Sequence, residues 1–174
     1  MRYAFTLIEL LIVILIISLV YFFGFKGVEL GKPSPKALTP LNLKPSIRNT
    51  DLFQGHATLL CTDNCSKCYL RKDLTAKYRP YSNHIDLTGS VAYTLSRDDH
   101  LEKIEYGRFR DEPICLVMDF YDNGSSTPIV LKQKEKVYFL PSFFGEPKSF
   151  GSLDDAREYW LNNTQLVSDS GEFY

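Results

Sequence analysis

Hydrophobic residues crowd the start of the chain, where 17 of the 21 residues from Phe5 to Phe25 are apolar and Thr6, Glu9, Ser18 and Gly24 are the exceptions. No polar face recurs within this run, so it predicts a helix that is buried on every side. From Ala57 onward the pattern changes to period-two alternation broken by Asn, Asp, Gly and Pro. It predicts strands at Ala57–Thr62, Cys68–Arg71, Ser90–Ser96, Leu101–Phe109, Ile114–Tyr121, Pro128–Gln133 and Lys136–Leu140. Arg97–His100, Asp122–Gly124 and the charged stretch Lys132–Lys136 read as reversals, and Asn123-Gly124 accepts the positive φ of a tight hairpin. Sequential hairpins predict an antiparallel meander. Near the end, Ser152 is placed to cap a helix with Asp154 and Asp155 in its first turn and Leu153, Ala156, Trp160 and Leu161 near helical spacing.

A helix from Phe5 to Phe25 would reach about 31 Å, close to the roughly 30 Å of hydrocarbon in a bilayer, so the run predicts a single transmembrane span. A secretory signal peptide fits less well, because its apolar region is about 7 to 15 residues and ends at a small-residue cleavage site. Glu9 interrupts the run. A carboxylate costs about 2.5 to 3.5 kcal/mol at a membrane centre and less near headgroup water, so it is either functional or placed high in the interface. Four prolines between Pro33 and Pro45 predict that this helix stops near Gly31 and passes into an extended polyproline linker.

Composition divides the chain the same way. Beyond Phe25 about 38% of residues are apolar, enough for a globular core. The net charge of −1, with 20 Lys and Arg, gives no overall electrostatic support for nucleic-acid binding. The expected class is α+β: a transmembrane helix over 5–31, a Pro-rich linker over 32–50, and a soluble antiparallel β-sheet domain over 51–174 with a C-terminal helix.

The letters around Glu9 carry a family resemblance. Ala4 followed by FTLIELLIVILII resembles the amino terminus of type IV pilins and of the pseudopilins of type II secretion. The resemblance implies a leader over 1–4 charged at Arg2, cleavage between Ala4 and Phe5 by a prepilin peptidase, and N-methylation of Phe5. It also makes Glu9 the fifth residue of the mature chain, the acid that attracts the terminal amine of a neighbouring subunit. Opposite charges attract strongly in a low dielectric, and each is tolerable there only when paired. The implied role is a minor pilin-like or pseudopilin subunit, without catalysis or cofactor. Its partners are other pilin-like subunits and the assembly platform of a bacterial inner membrane. Arg2 before the run against Lys26, Lys32, Lys36 and Lys44 after it would orient the C-terminal domain inward by a positive-inside count. Long domains translocate largely regardless of charge, and the resemblance implies a periplasmic domain. The alternative is a pilin-like component of a DNA-uptake apparatus.

Cys61, Cys65 and Cys68 form C-x3-C-x2-C, and Cys115 stands apart in an apolar run. Zinc held by the four cysteines, or by three with His56, is one reading. An iron–sulfur site of the kind found in radical enzymes needs a far longer barrel. An even cysteine count in a domain expected outside the cytoplasm favours disulfides, with Cys115 bridged to one of the other three; which one is left open.

Weaker constellations complete the reading. Asp119, Asp122, Asn123 and Ser125 gather oxygen ligands for calcium but match no complete calcium loop. His56, His84 and His100 lie far apart without a catalytic signature. Lys67, Arg71, Lys72, Lys77 and Arg79, interleaved with Tyr69, Tyr78 and Tyr81, could contact DNA through phosphates and stacking, or form a solvated face.

Overall fold

The computed structural model describes residues 7–26, 37–143 and 145–169. The chain divides into two compact units, Met1–Pro35 and Lys36–Tyr174. In the first, α1 spans Leu7–Lys26. The expected transmembrane helix over 5–31 is corrected here: among the described residues no helix is long and apolar enough to cross a membrane.

The described residues are mostly β-sheet rather than the expected α+β, and the second unit holds two sheets in place of the expected single meander. Its strands are β1 (His56–Thr62), β2 (Lys67–Arg71), β3 (Arg79–Pro80), β4 (Val91–Leu95), β5 (Leu101–Lys103), β6 (Arg108–Phe109), β7 (Glu112–Tyr121), β8 (Ile129–Gln133), β9 (Lys136–Leu140) and β10 (Lys148–Phe150). They form two antiparallel five-stranded sheets, ordered β3-β2-β1-β7-β6 and β10-β9-β8-β4-β5. The chain therefore changes sheet after β3, after β5 and after β7. The reversal at Asp122–Gly124 is real: Gly124 has φ +84° and its N–H donates to the Tyr121 carbonyl at 3.1 Å. The strands on either side of it nevertheless belong to different sheets.

Alternation explains how the layers close. Ala57, Leu59 and Cys61 of β1 and Leu116, Met118 and Phe120 of β7 share one buried cluster with Ala92 of β4, Ile129 and Leu131 of β8 and Leu140 of β9. The other face of the second sheet presents Val130, Val137 and Phe139 to Ala156 of α3 (Leu153–Asp169), with Tyr159 and Trp160 packed alongside. β8 is thus buried on both faces, which is why its sequence reads IVL without alternation. Ser152 Oγ accepts the Asp155 N–H at 3.1 Å and caps α3.

The Pro-rich segment is not extended throughout. Pro40–Asn42 forms a 3-10 turn and α2 covers Leu43–Arg48. Proline suits the first turn of a helix, where its missing N–H has no intrahelical acceptor and its fixed φ is already helical. Leu38, Leu43 and Ile47 are fully buried, so this stretch belongs to the core. Gly31, Lys32, Pro33 and Lys36 lie outside the described residues.

Candidate interaction surfaces

Ala4 and Phe5, the expected processing pair, lie outside the described residues. Glu9 sits in the first turn of α1 and is exposed. Its neighbours are exposed as well, Leu7 at 81%, Ile8 at 68% and Leu10 at 56%, as is Val20 about three turns on at 65%. A helix that is apolar on every side and exposed on every side is a surface awaiting cover.

The four cysteines meet at one end of the first sheet. Cys61 and Cys68 are direct partners in the β1–β2 register and are bridged, with Cα atoms 4.0 Å apart. The second bridge joins Cys65 to Cys115 across 50 residues. Cys115 thus pairs within the cluster as expected, and Cys65 is its partner. No free cysteine remains, so zinc and iron–sulfur ligation have no thiolate to use. Both bridges accord with an oxidising, non-cytoplasmic location.

Between β1 and β2, Asp63, Asn64 and Cys65 have φ of 51°, 55° and 60°. The sequence reading placed a loop here, between strands ending at Thr62 and beginning at Cys68, but not its left-handed backbone; Asp63-Asn64 was a usable signal, since after glycine these residue types tolerate that region best. Lys67 at its far end bonds Glu112 at 2.7 Å and pairs with Asp63 at 3.2 Å. The bond to Glu112 holds the Lys67 pKa above its ordinary value, and the bond from Lys67 holds Glu112 below its own. Thr62 Oγ1 also donates to Glu112 Oε2 at 2.6 Å.

The outer face of the first sheet carries an aromatic and cationic cluster. Phe109 packs against Tyr69 at 5.4 Å and Tyr78 at 5.3 Å between ring centroids. Arg71 lies 4.8 Å over Tyr78, and Arg110 lies 5.1 Å over Phe109. Phe109 and Arg110 were absent from the expected basic and aromatic stretch because they come from a different part of the chain. The basic stretch itself is dispersed: Lys67 is ion-paired, Arg71 is stacked, Lys72 reaches Gln54 at 3.4 Å, and Lys77 and Arg79 are exposed. Tyr81 packs against the core instead.

The other candidates do not assemble a site. Asn123 Oδ1 is taken by the Ser125 N–H at 2.9 Å and hydroxyl at 2.7 Å, and Asp119 Oδ1 accepts the Thr58 hydroxyl at 2.6 Å. Among the described residues no group of three His, Cys, Asp or Glu could hold a metal ion. His56 lies 3.5 Å from Asp119, but the Thr58 hydroxyl points to the carboxylate and not to the imidazole, the reverse of what activates a nucleophile. His84 and His100 are exposed elsewhere. No family model, curated protein or solved structure matches the chain.

Proposed function

We propose that this chain is a pilin-like or pseudopilin subunit of a type II secretion or type IV pilus-related filament, assembled through α1. The observation that carries the reading is the sequence AFTLIELLIVILII from Ala4, with one carboxylate, Glu9, on an otherwise apolar helical surface. Covering that surface with copies of itself removes apolar area from water on every side of the helix. The globular unit then projects on the periplasmic face of a bacterial inner membrane, where disulfides persist. Prepilin peptidase and an assembly platform are the implied partners, and no catalysis is assigned. DNA uptake is the weaker reading, because Lys67 and Arg71 already have partners within the fold. Mass spectrometry of the mature amino terminus tests the proposal. N-methylated Phe5 is the expected result, and a chain from the native host still beginning at Met1 would overturn it.

A further inference from the structure

We infer that Cys65–Cys115 is a thiol-exchange site and a latch, which a dithiol reductant opens while Cys61–Cys68 stays closed, releasing the turn from Asp63 to Ser66. The inference concerns the globular unit alone and goes beyond the filament reading. Access differs between the two bridges. Cys61 and Cys65 are 0% exposed and Cys68 3%, whereas Cys115 is partly exposed. Exchange requires a thiolate to reach one sulfur of the bridge, so attack comes from the Cys115 side, where Sγ lies 3.2 Å from the Cys61 carbonyl oxygen.

The backbone supplies the second observation. In three successive non-glycine residues, Asp63, Asn64 and Cys65, Cβ crowds the following carbonyl oxygen, and a cysteine lacks the tolerance of Asn and Asp for this region. Such a run persists only where its surroundings over-determine it. Within the turn the Ser66 hydroxyl donates to Asp63 O at 2.7 Å and to Asp63 Oδ2 at 3.0 Å, and Lys67 pairs with Asp63 at 3.2 Å. Ser66 N–H donates to Asp63 O at 3.0 Å, and Gly89 N–H donates to Asn64 O at 2.9 Å. Cys65 Sγ sits 3.9 Å from the Ser90 carbonyl oxygen. Gly89 and Ser90 lead directly into β4, so this turn of the first sheet is fastened to the first residues of a strand in the second. The bridge from Cys65 to Cys115 is a separate, covalent tie, which holds the same turn to β7 of its own sheet.

The chemistry balances with a protein or small-molecule dithiol as co-reactant. Its thiolate attacks Cys115 Sγ, the Cys65–Cys115 bond breaks, and Cys65 departs as a thiolate that takes up a proton. The second thiol of the dithiol then attacks the mixed disulfide and frees Cys115, which is protonated in turn. The dithiol has lost two electrons and two protons to the pair and is left as a disulfide. With Cys65 released, its φ returns to the ordinary negative range and the turn separates from Gly89. Cys61–Cys68 still closes the hairpin.

The test is stepwise reduction of the full chain with dithiothreitol under native conditions, followed by alkylation, peptide mapping and amide hydrogen exchange. Cys65 and Cys115 should be alkylated roughly tenfold faster than Cys61 and Cys68, with faster exchange at residues 63–66 and Gly89 and unchanged exchange in β8 and β9. Reduction of both bridges together, of Cys61–Cys68 first, or of Cys65–Cys115 without faster exchange in the turn would each overturn the latch. The double variant Cys65→Ser, Cys115→Ser should fold with Cys61–Cys68 intact and show the fast turn without reductant. A variant that does not fold makes the bridge a structural staple and likewise overturns the proposal.

Discussion

The ammonium of Lys44 in α2 donates to the carbonyl oxygen of Pro141, just beyond β9, at 2.5 Å and across 97 residues of chain. Ser142 and Phe143 carbonyls lie 3.3 and 3.4 Å from the same nitrogen. Burial holds the Lys44 pKa below its ordinary value despite the opposing pull of Glu146. Replacing Lys44 with Met keeps the aliphatic stem and leaves the carbonyls without their donor. The expected loss is about 1 to 3 kcal/mol in urea unfolding; an unchanged midpoint would mean that water serves these carbonyls equally well.

Ile47 provides the apolar counterpart of that clamp. It is fully buried on α2 within the main core, so Ile47→Ala should cost about 2 to 5 kcal/mol. The same substitution in an extended tether would be nearly silent, and thermal unfolding of the variant separates the two.

That helix marks the limit of what was legible in the sequence. Alternation located β1, β7 and β9, and Ser152 with its following acids located the start of α3, because each signal is local. Four prolines suggested extension through Pro45, yet Pro40 and Pro45 fall in the first turns of short helices, where proline is tolerated. Leu38, Leu43 and Ile47 were the competing signal. The division into two sheets was not readable, since an apolar strand shows that it is buried but not which partner it takes. The Asp122–Gly124 reversal was found, whereas the sheet joined by the next strand depends on long-range pairing. The cysteine partners had the same difficulty: Cys61 and Cys68 are matched by strand register, and Cys65, in the turn between them, pairs with Cys115 of the distant β7.

Glu112 gives an acid-side prediction. Its folded pKa lies below the unfolded value of 4.5, chiefly through its bond from Lys67. The carboxylate therefore contributes stability that is present above 4.5 and is lost as pH falls through the folded value. Glu112→Gln should lower Tm near neutrality, and the difference from the parent should shrink at about pH 3. Equal Tm differences at both pH values would assign the effect to packing. High salt should weaken the neutral-pH contribution, because the pair lies near the surface.

Tyr106 acts at the alkaline end. Burial pushes its phenol up to about 12, and its hydroxyl donates to the Val117 carbonyl at 3.4 Å. Between about 10 and 12 the unfolded chain loses this proton while the folded chain keeps it, so the unfolded state binds fewer protons and stability falls as pH rises. Tyr106→Phe should cost about 0.5 to 1 kcal/mol at neutral pH and flatten the alkaline decline. Ultraviolet titration should show one tyrosine fewer ionising late; an unaltered titration would remove Tyr106 from this role.

Glu9 tests the filament reading from the side of the helix. Once copies cover α1, a carboxylate among Leu7, Ile8, Leu10 and Leu11 loses its water and must be paired or neutralised. In the proposed filament, a terminal amine created at Phe5 on a neighbouring subunit would supply the opposite charge at one axial position, so that the pair would select register while apolar contact supplied most of the attraction. Glu9→Ala should therefore leave apolar association of the helix in place and remove its preferred register. Electron microscopy and cysteine cross-linking of assembled subunits should show fewer and shorter filaments with scattered cross-links. Filaments of parental length with a single cross-link register would sink the role of Glu9, whatever the state of the amino terminus.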